Sequence, residues 1–146
     1  MIEEQIKKYI ELEGENIRDI YELARSYHKI GQTASALTFY LKFVDECMLF
    51  EVDREIMDLM YECLLHAGEC FSKQGRREGT ARLMYYHAGR LLNYRPEAYY
   101  LLSRNWSYVG DWQSSMHFIE LAEEKARTCQ SKINNFEEAS SPLSIA

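Results

Sequence analysis

The chain has 146 residues, 47% of them apolar and 27% charged, and carries a formal net charge of −6. That is a single-domain length with apolar surface for roughly six or seven helices, and its acidic balance argues against a general nucleic-acid binder, which needs clustered Lys and Arg against phosphate. No run approaches the ~18 apolar residues of a membrane span, and Met1-Ile2-Glu3-Glu4-Gln5 has neither the basic onset nor the apolar core of a signal peptide, so a cytoplasmic protein is expected.

With two prolines and no Val/Ile/Thr alternation, the pattern predicts an all-α chain. Ile2, Ile6, Tyr9 and Ile10 follow a helical period that Gly14 stops, giving a leading helix over 2–13 that caps the helices after it. Asn16 is placed to cap the next helix, in which Ile20, Leu23, Ala24 and Tyr27 share one stripe. Gly31 breaks that helix, Thr33 can cap its successor, and Ala36, Tyr40 and Phe43 repeat the stripe. Two apolar stripes separated by a short break predict a helical hairpin over about 17–50, with Ala24 and Ala36 answering each other where the helices approach.

The same residue types recur. Gly31 and Gly75 stand 44 positions apart, and the extra length falls at Glu51–Met60, so the next helix is read as lengthened at its front, from Asp53 to Lys73. Leu64, Ala67, Gly68 and Phe71 occupy its stripe. After Gly75 one residue is added to the turn before Ala81, Tyr85 and Ala88, and Gly79 is expected to fray that helix at its first turn. Pro96 opens a third pair, with Tyr99, Leu102, Ser103 and Trp106 before Gly110 and Asp111 capping a last helix through Ser115, Ile119 and Ala122. Beyond Ala126 the stripe fades, and 131–146 reads as a frayed, disordered tail.

A small residue, an aromatic three later, Gly four after that, Ala five further on and an aromatic four beyond resembles the tetratricopeptide repeat, whose period is about 34 residues. The resemblance implies three such hairpins (about 17–50, 53–93 and 96–126) in a right-handed superhelix, within one repeat domain over 1–130. Arg95-Pro96-Glu97-Ala98-Tyr99-Tyr100-Leu101, with Gly110-Asp111-Trp112 and the Leu23–Lys29 run, resembles more narrowly the repeat domains that accompany family-2-type glycosyltransferases of bacteria and tailed phages. No βαβ pattern and no Asp-x-Asp is present, so such a transferase would reside in another domain or chain.

Cys63, His66 and Cys70 share one face of one helix, where they are read as buried thiols beside a partly exposed His. A zinc site would need a fourth ligand from another element, and a His66–Cys70 nucleophile would need an orienting group. No metal, cofactor or catalytic residue is expected, and the four cysteines fit reduced core thiols better than a disulfide framework. Tyr27, Tyr40, Phe71, Tyr85, Tyr99 and Trp106 are assigned to the core, whereas Tyr21, Tyr100 and Tyr108 fall off the stripe.

The resemblance places the positions −6, −3, +1, +4 and +5 from the small residue of each first helix on a concave groove. In the first hairpin these are Arg18, Tyr21, Arg25, His28 and Lys29. In the second they are Glu62, Leu65, Glu69, Ser72 and Lys73, and in the third Glu97, Tyr100, Arg104, Ser107 and Tyr108. The expectation is therefore a non-catalytic scaffold whose concave face binds a protein or peptide partner, acidic or aromatic-rich, through Arg contacts and tyrosine stacking. Two rival expectations are an accessory domain of a glycosyltransferase system that meets glycan or transferase, and a phage virion or assembly component packing by its helix faces. No nucleic acid or membrane is expected as a partner, and self-association is left open.

Overall fold

A computed structural model describes residues 17–49 and 51–140. The expected leading helix over 2–13 and the last residues of the tail lie outside these. The described secondary structure is entirely helical: α1 (Ile17–Lys29), α2 (Thr33–Cys47), α3 (Arg54–Lys73), α4 (Glu78–Leu91), α5 (Glu97–Tyr108) and α6 (Trp112–Ser140). They form two compact units, one running through Leu91 with α1–α4, the other from Leu92 with α5 and α6. Within the first, α1 packs on α2, α2 on α3 and α3 on α4; within the second, α5 packs on α6.

Glycine sets the hairpins. Gly31, Gly75 and Gly110 each lie two residues past a helix end at φ of 83°, 75° and 82°, a left-handed conformation that any side chain would strain. At the first turn Gln32 N–H donates to the Tyr27 carbonyl at 3.0 Å and Gly31 N–H to His28 at 3.1 Å; at the third, Asp111 and Gly110 N–H make the same bonds to Trp106 and Ser107. These are the paired bonds by which a Schellman motif satisfies the last carbonyls of a helix. The second turn differs. Its extra residue, Arg76, also takes positive φ (53°), so two successive left-handed residues absorb the added length.

Pairings across the turns show how the helices run. Tyr27 meets Phe39, His28 meets Tyr40 and Tyr21 meets Phe43, partners spreading evenly from the turn as antiparallel helices require. Gly68 against Tyr85 and Ser103 against Ser115 repeat this in the later pairs. Contacts from α1 to α3 instead keep a near-constant offset (Arg18 to Glu55, Tyr21 to Glu62, Arg25 to His66), so these two run in the same direction. This alternation in the first unit, with Ala24, Ala36, Ala67, Ala81 and Ala88 fully buried, is that of stacked antiparallel helical hairpins.

Aspartate caps two of the helices. Asp53 accepts Ile56 N–H at 2.9 Å, capping the lengthened α3, and Asp111 accepts Ser114 N–H at 3.0 Å. Four expectations change. Thr33, expected to cap α2, is its first residue, and Gln32 holds the N-cap position without a side-chain hydrogen bond. Leu23 is 42% exposed, because the inward line of α1 runs through Ile17, Tyr21, Ala24 and His28, turned toward α3 and leaving Leu23 nearly opposite. α4 is helical from Glu78 through Gly79 rather than frayed there. α6 continues to Ser140, past Ala126, since no glycine or proline occurs between Gly110 and Pro142 to stop it.

Candidate partner-binding face

In the first unit, the positions expected to line a groove on α1 are joined to α3 by a row of polar contacts. Arg18 NH1 donates to Glu55 Oε1 at 2.8 Å, an exposed pair. One turn on, the Tyr21 hydroxyl donates to Glu62 Oε2 at 2.7 Å, and burial together with this carboxylate pushes the phenol up. Next comes Arg25, half-buried, whose NH1 lies 3.3 Å from the Tyr40 hydroxyl and 3.2 Å from His66 Nε2.

The protonation pattern follows from who can donate. A guanidinium only donates, so His66 Nε2 must present its lone pair, and neutral His66 then carries its proton on Nδ1. That Nδ1 is buried without a hydrogen-bond partner among the described residues, with Glu69 Oε2 at 3.8 Å. The Tyr40 oxygen accepts from Arg25, and its own proton is satisfied by donation to His28 Nδ1 at 2.9 Å. Tyr40 stacks on His66 with centroids 5.2 Å apart, and His28 meets the same His66 ring edge-on at 5.4 Å. Burial first, then the neighbouring His66 ring and the charges of Lys73 and Arg25, hold the His28 imidazole below its ordinary value, against a smaller pull from Glu69.

The row ends at the C-termini of α1 and α3 in Lys29 and Lys73. Both are exposed, and among the described residues neither makes a hydrogen bond or ion pair. Of the other groove positions in this unit, Leu65 and Glu69 are half-buried. In the second unit, Tyr100, Arg104 and Tyr108 are exposed along one face of α5.

Helical spacing therefore locates the α1 positions but misses three of their partners: Glu55, His66 and the hydroxyl of Tyr40, a residue that the stripe assigns to the core for its ring alone. A buried Tyr where Phe would fill the same space was the available signal, since its O–H must find a partner. The thiols behave as buried groups: Cys47 is pushed up to about 12, and burial raises Cys63 and Cys70 as well, which favours the protonated, unreactive form. Among the described residues no cluster of three or more His, Cys, Asp or Glu is placed to hold a metal ion, and no helix is long and apolar enough to cross a membrane.

No protein-family model and no curated protein matches the chain. Among solved structures it is similar to the one described as "Crystal structure of MamA", with 14% sequence identity over 86% of each chain and a TM-score of 0.48.

Proposed function

We propose that the chain is a non-catalytic helical-repeat scaffold, and that it binds an acidic segment of a protein partner on the concave face bearing α1 and α3. The observation that carries this reading is the contrast between the cations of that face. Arg18 and Arg25 are engaged by Glu55, Tyr40 and His66, whereas Lys29 and Lys73 stand exposed at the helix ends with no hydrogen bond or ion pair among the described residues. The contacts of Arg25 support the reading in a second way: with His66 they tie α1 to α3, and with Tyr40, itself bonded to His28, they tie α1 to α2, which pre-orders the surface beneath those lysines. In the second unit, taken by itself, Tyr100, Arg104 and Tyr108 of α5 offer stacking and a cation on an exposed face of the same kind.

Reversing Lys29 and Lys73 together to Glu tests this. A pull-down from the source cell with wild type and the double variant should lose the acidic partner, with circular dichroism unchanged, since both side chains are exposed. Loss should be greatest at low salt, as screening over about 10 Å at 0.1 M weakens such contacts in the wild type too. Identical partner sets would overturn the assignment of this face. A glycosyltransferase among the specifically lost proteins would support the narrower resemblance of the Arg95–Leu101 segment.

A further inference from the structure

The first unit holds a second surface, on the side of α3 that meets α2 and α4. A cleft of about 330 Å³ opens there, lined by Met48, Met60, Leu64, Met84, His87 and Asp45 among others. Among the described residues Asp45 is its one carboxylate, and no Lys or Arg lines it. Met48, at its margin, is 74% exposed, and flexible thioethers from three different helical segments let such a wall adapt to an inserted side chain. An open apolar cleft of this size suits one or two large side chains rather than a polar ligand.

The second unit carries an exposed apolar projection. Trp112 and Met116 lie one turn apart on α6, 68% and 58% exposed, and Tyr108 and Val109 beside the preceding turn are exposed as well. A solvent-facing Trp–Met pair continuous with Tyr and Val is a patch of the kind that marks an interaction site, and Trp is the side chain most enriched among residues that dominate interfaces. From Trp112 to Ile119 the chain has no Asp, Glu, Lys or Arg. It can therefore approach a second acidic copy without adding to the repulsion expected from a net charge of −6.

We infer that the chain associates head to tail with copies of itself, Trp112 and Met116 of one copy seating in the methionine-lined cleft of the next. Cleft and projection are complementary in kind: apolar wall to apolar side chains, and one carboxylate acceptor, Asp45, to the one donor of an indole, its ring N–H. Because cleft and projection are different surfaces, the contact is heterologous, and each copy can give one and receive one.

Sedimentation velocity of the full chain tests this. The wild type should show a weight-average mass that rises above the monomer with concentration. Trp112→Ala and Met48→Glu, both at exposed positions, should each weaken association at least about tenfold, as loss of a central anchor does. An equimolar mixture of the two should recover a complex that stops at the dimer, because one variant keeps an intact cleft and the other an intact projection. Met116→Gln and Asp45→Asn should weaken association in the same direction, and circular dichroism establishes that every variant is folded. A wild type that remains monomeric at submillimolar concentration overturns the inference. So does a folded Trp112→Ala or Met48→Glu that associates as the wild type does, or a mixture that stays monomeric or grows past the dimer.

Discussion

Gly68 shows how much a single missing methyl can decide. A Cβ there would collide with the ring of Tyr85, which is itself buried, so α3 and α4 approach only because this position has no side chain. Gly68→Ala should therefore destabilise the protein: overpacking of this kind costs about 1–3 kcal/mol, against a gain of about 1 kcal/mol in helix propensity. Urea titration would measure the net loss, and Tyr85→Leu in the same background should recover part of it if the clash is the cause. Ala24, fully buried where α1 crosses α2, is the complementary case, and Ala24→Leu should cost about 1–3 kcal/mol for the same reason. Arg18 belongs at the other extreme. Its pairing with Glu55 is fully solvated, so Arg18→Ala should leave the urea midpoint unchanged.

At the scale of elements, the seam between α1, α2 and α3 makes stability depend on pH. His28 faces Arg25 on its own helix, Tyr40 on α2, and His66, Glu69 and Lys73 on α3, and burial with the neighbouring cations lowers its affinity for a proton below that of the unfolded chain. The unfolded state then binds the proton more readily, so acid favours unfolding. Stability contributed here is complete above the ordinary value near 6.5 and is lost as the pH falls through the lowered folded value. The urea midpoint should drop between about pH 7.5 and about pH 5.5, and His28→Gln should flatten part of that drop. A slope unchanged in the variant would show that His28 is not its source. The second turn gives a prediction of the opposite sign: Arg76 holds φ of 53°, where a Cβ is unfavourable, so Arg76→Gly should raise stability by roughly 0.5–1 kcal/mol. A thermal melt showing loss instead would mean that Arg76 makes a compensating contact.

For the whole molecule, two kinds of surface coexist. The α1/α3 face is polar, internally matched along most of its length and cationic only at its end, so it suits a salt-sensitive contact with an acidic segment. The methionine-lined cleft and the Trp112 projection are apolar, and contact between them should persist at salt concentrations that abolish the first. Comparing the mass of the wild type in sedimentation with partner recovery in pull-downs, each at low and high salt, should separate them: association retained, partner lost.

Most local features were legible in the chain, the cap expected of Thr33 being an exception. Glycines two residues beyond helix ends, aspartates at N-caps, alanines at crossings and the lengthened α3 were all legible, because turn conformation, capping and close approach depend on residues within a few positions of one another. The α1 half of the candidate site was legible for the same reason, as Arg18, Tyr21, Arg25 and His28 share a face by helical spacing alone. Its α3 half was not. Which residue of α3 stands opposite Arg25 depends on how a helix lengthened at its front is seated beside α1, and that seating is a matter of packing: it brings His66 and the Tyr40 hydroxyl to the guanidinium and turns Leu23 outward. The cleft, too, exists only in three dimensions. Met48, Met60 and Met84 lie far apart in the chain and share no local period, and only the stacking of α2, α3 and α4 gives them a common wall.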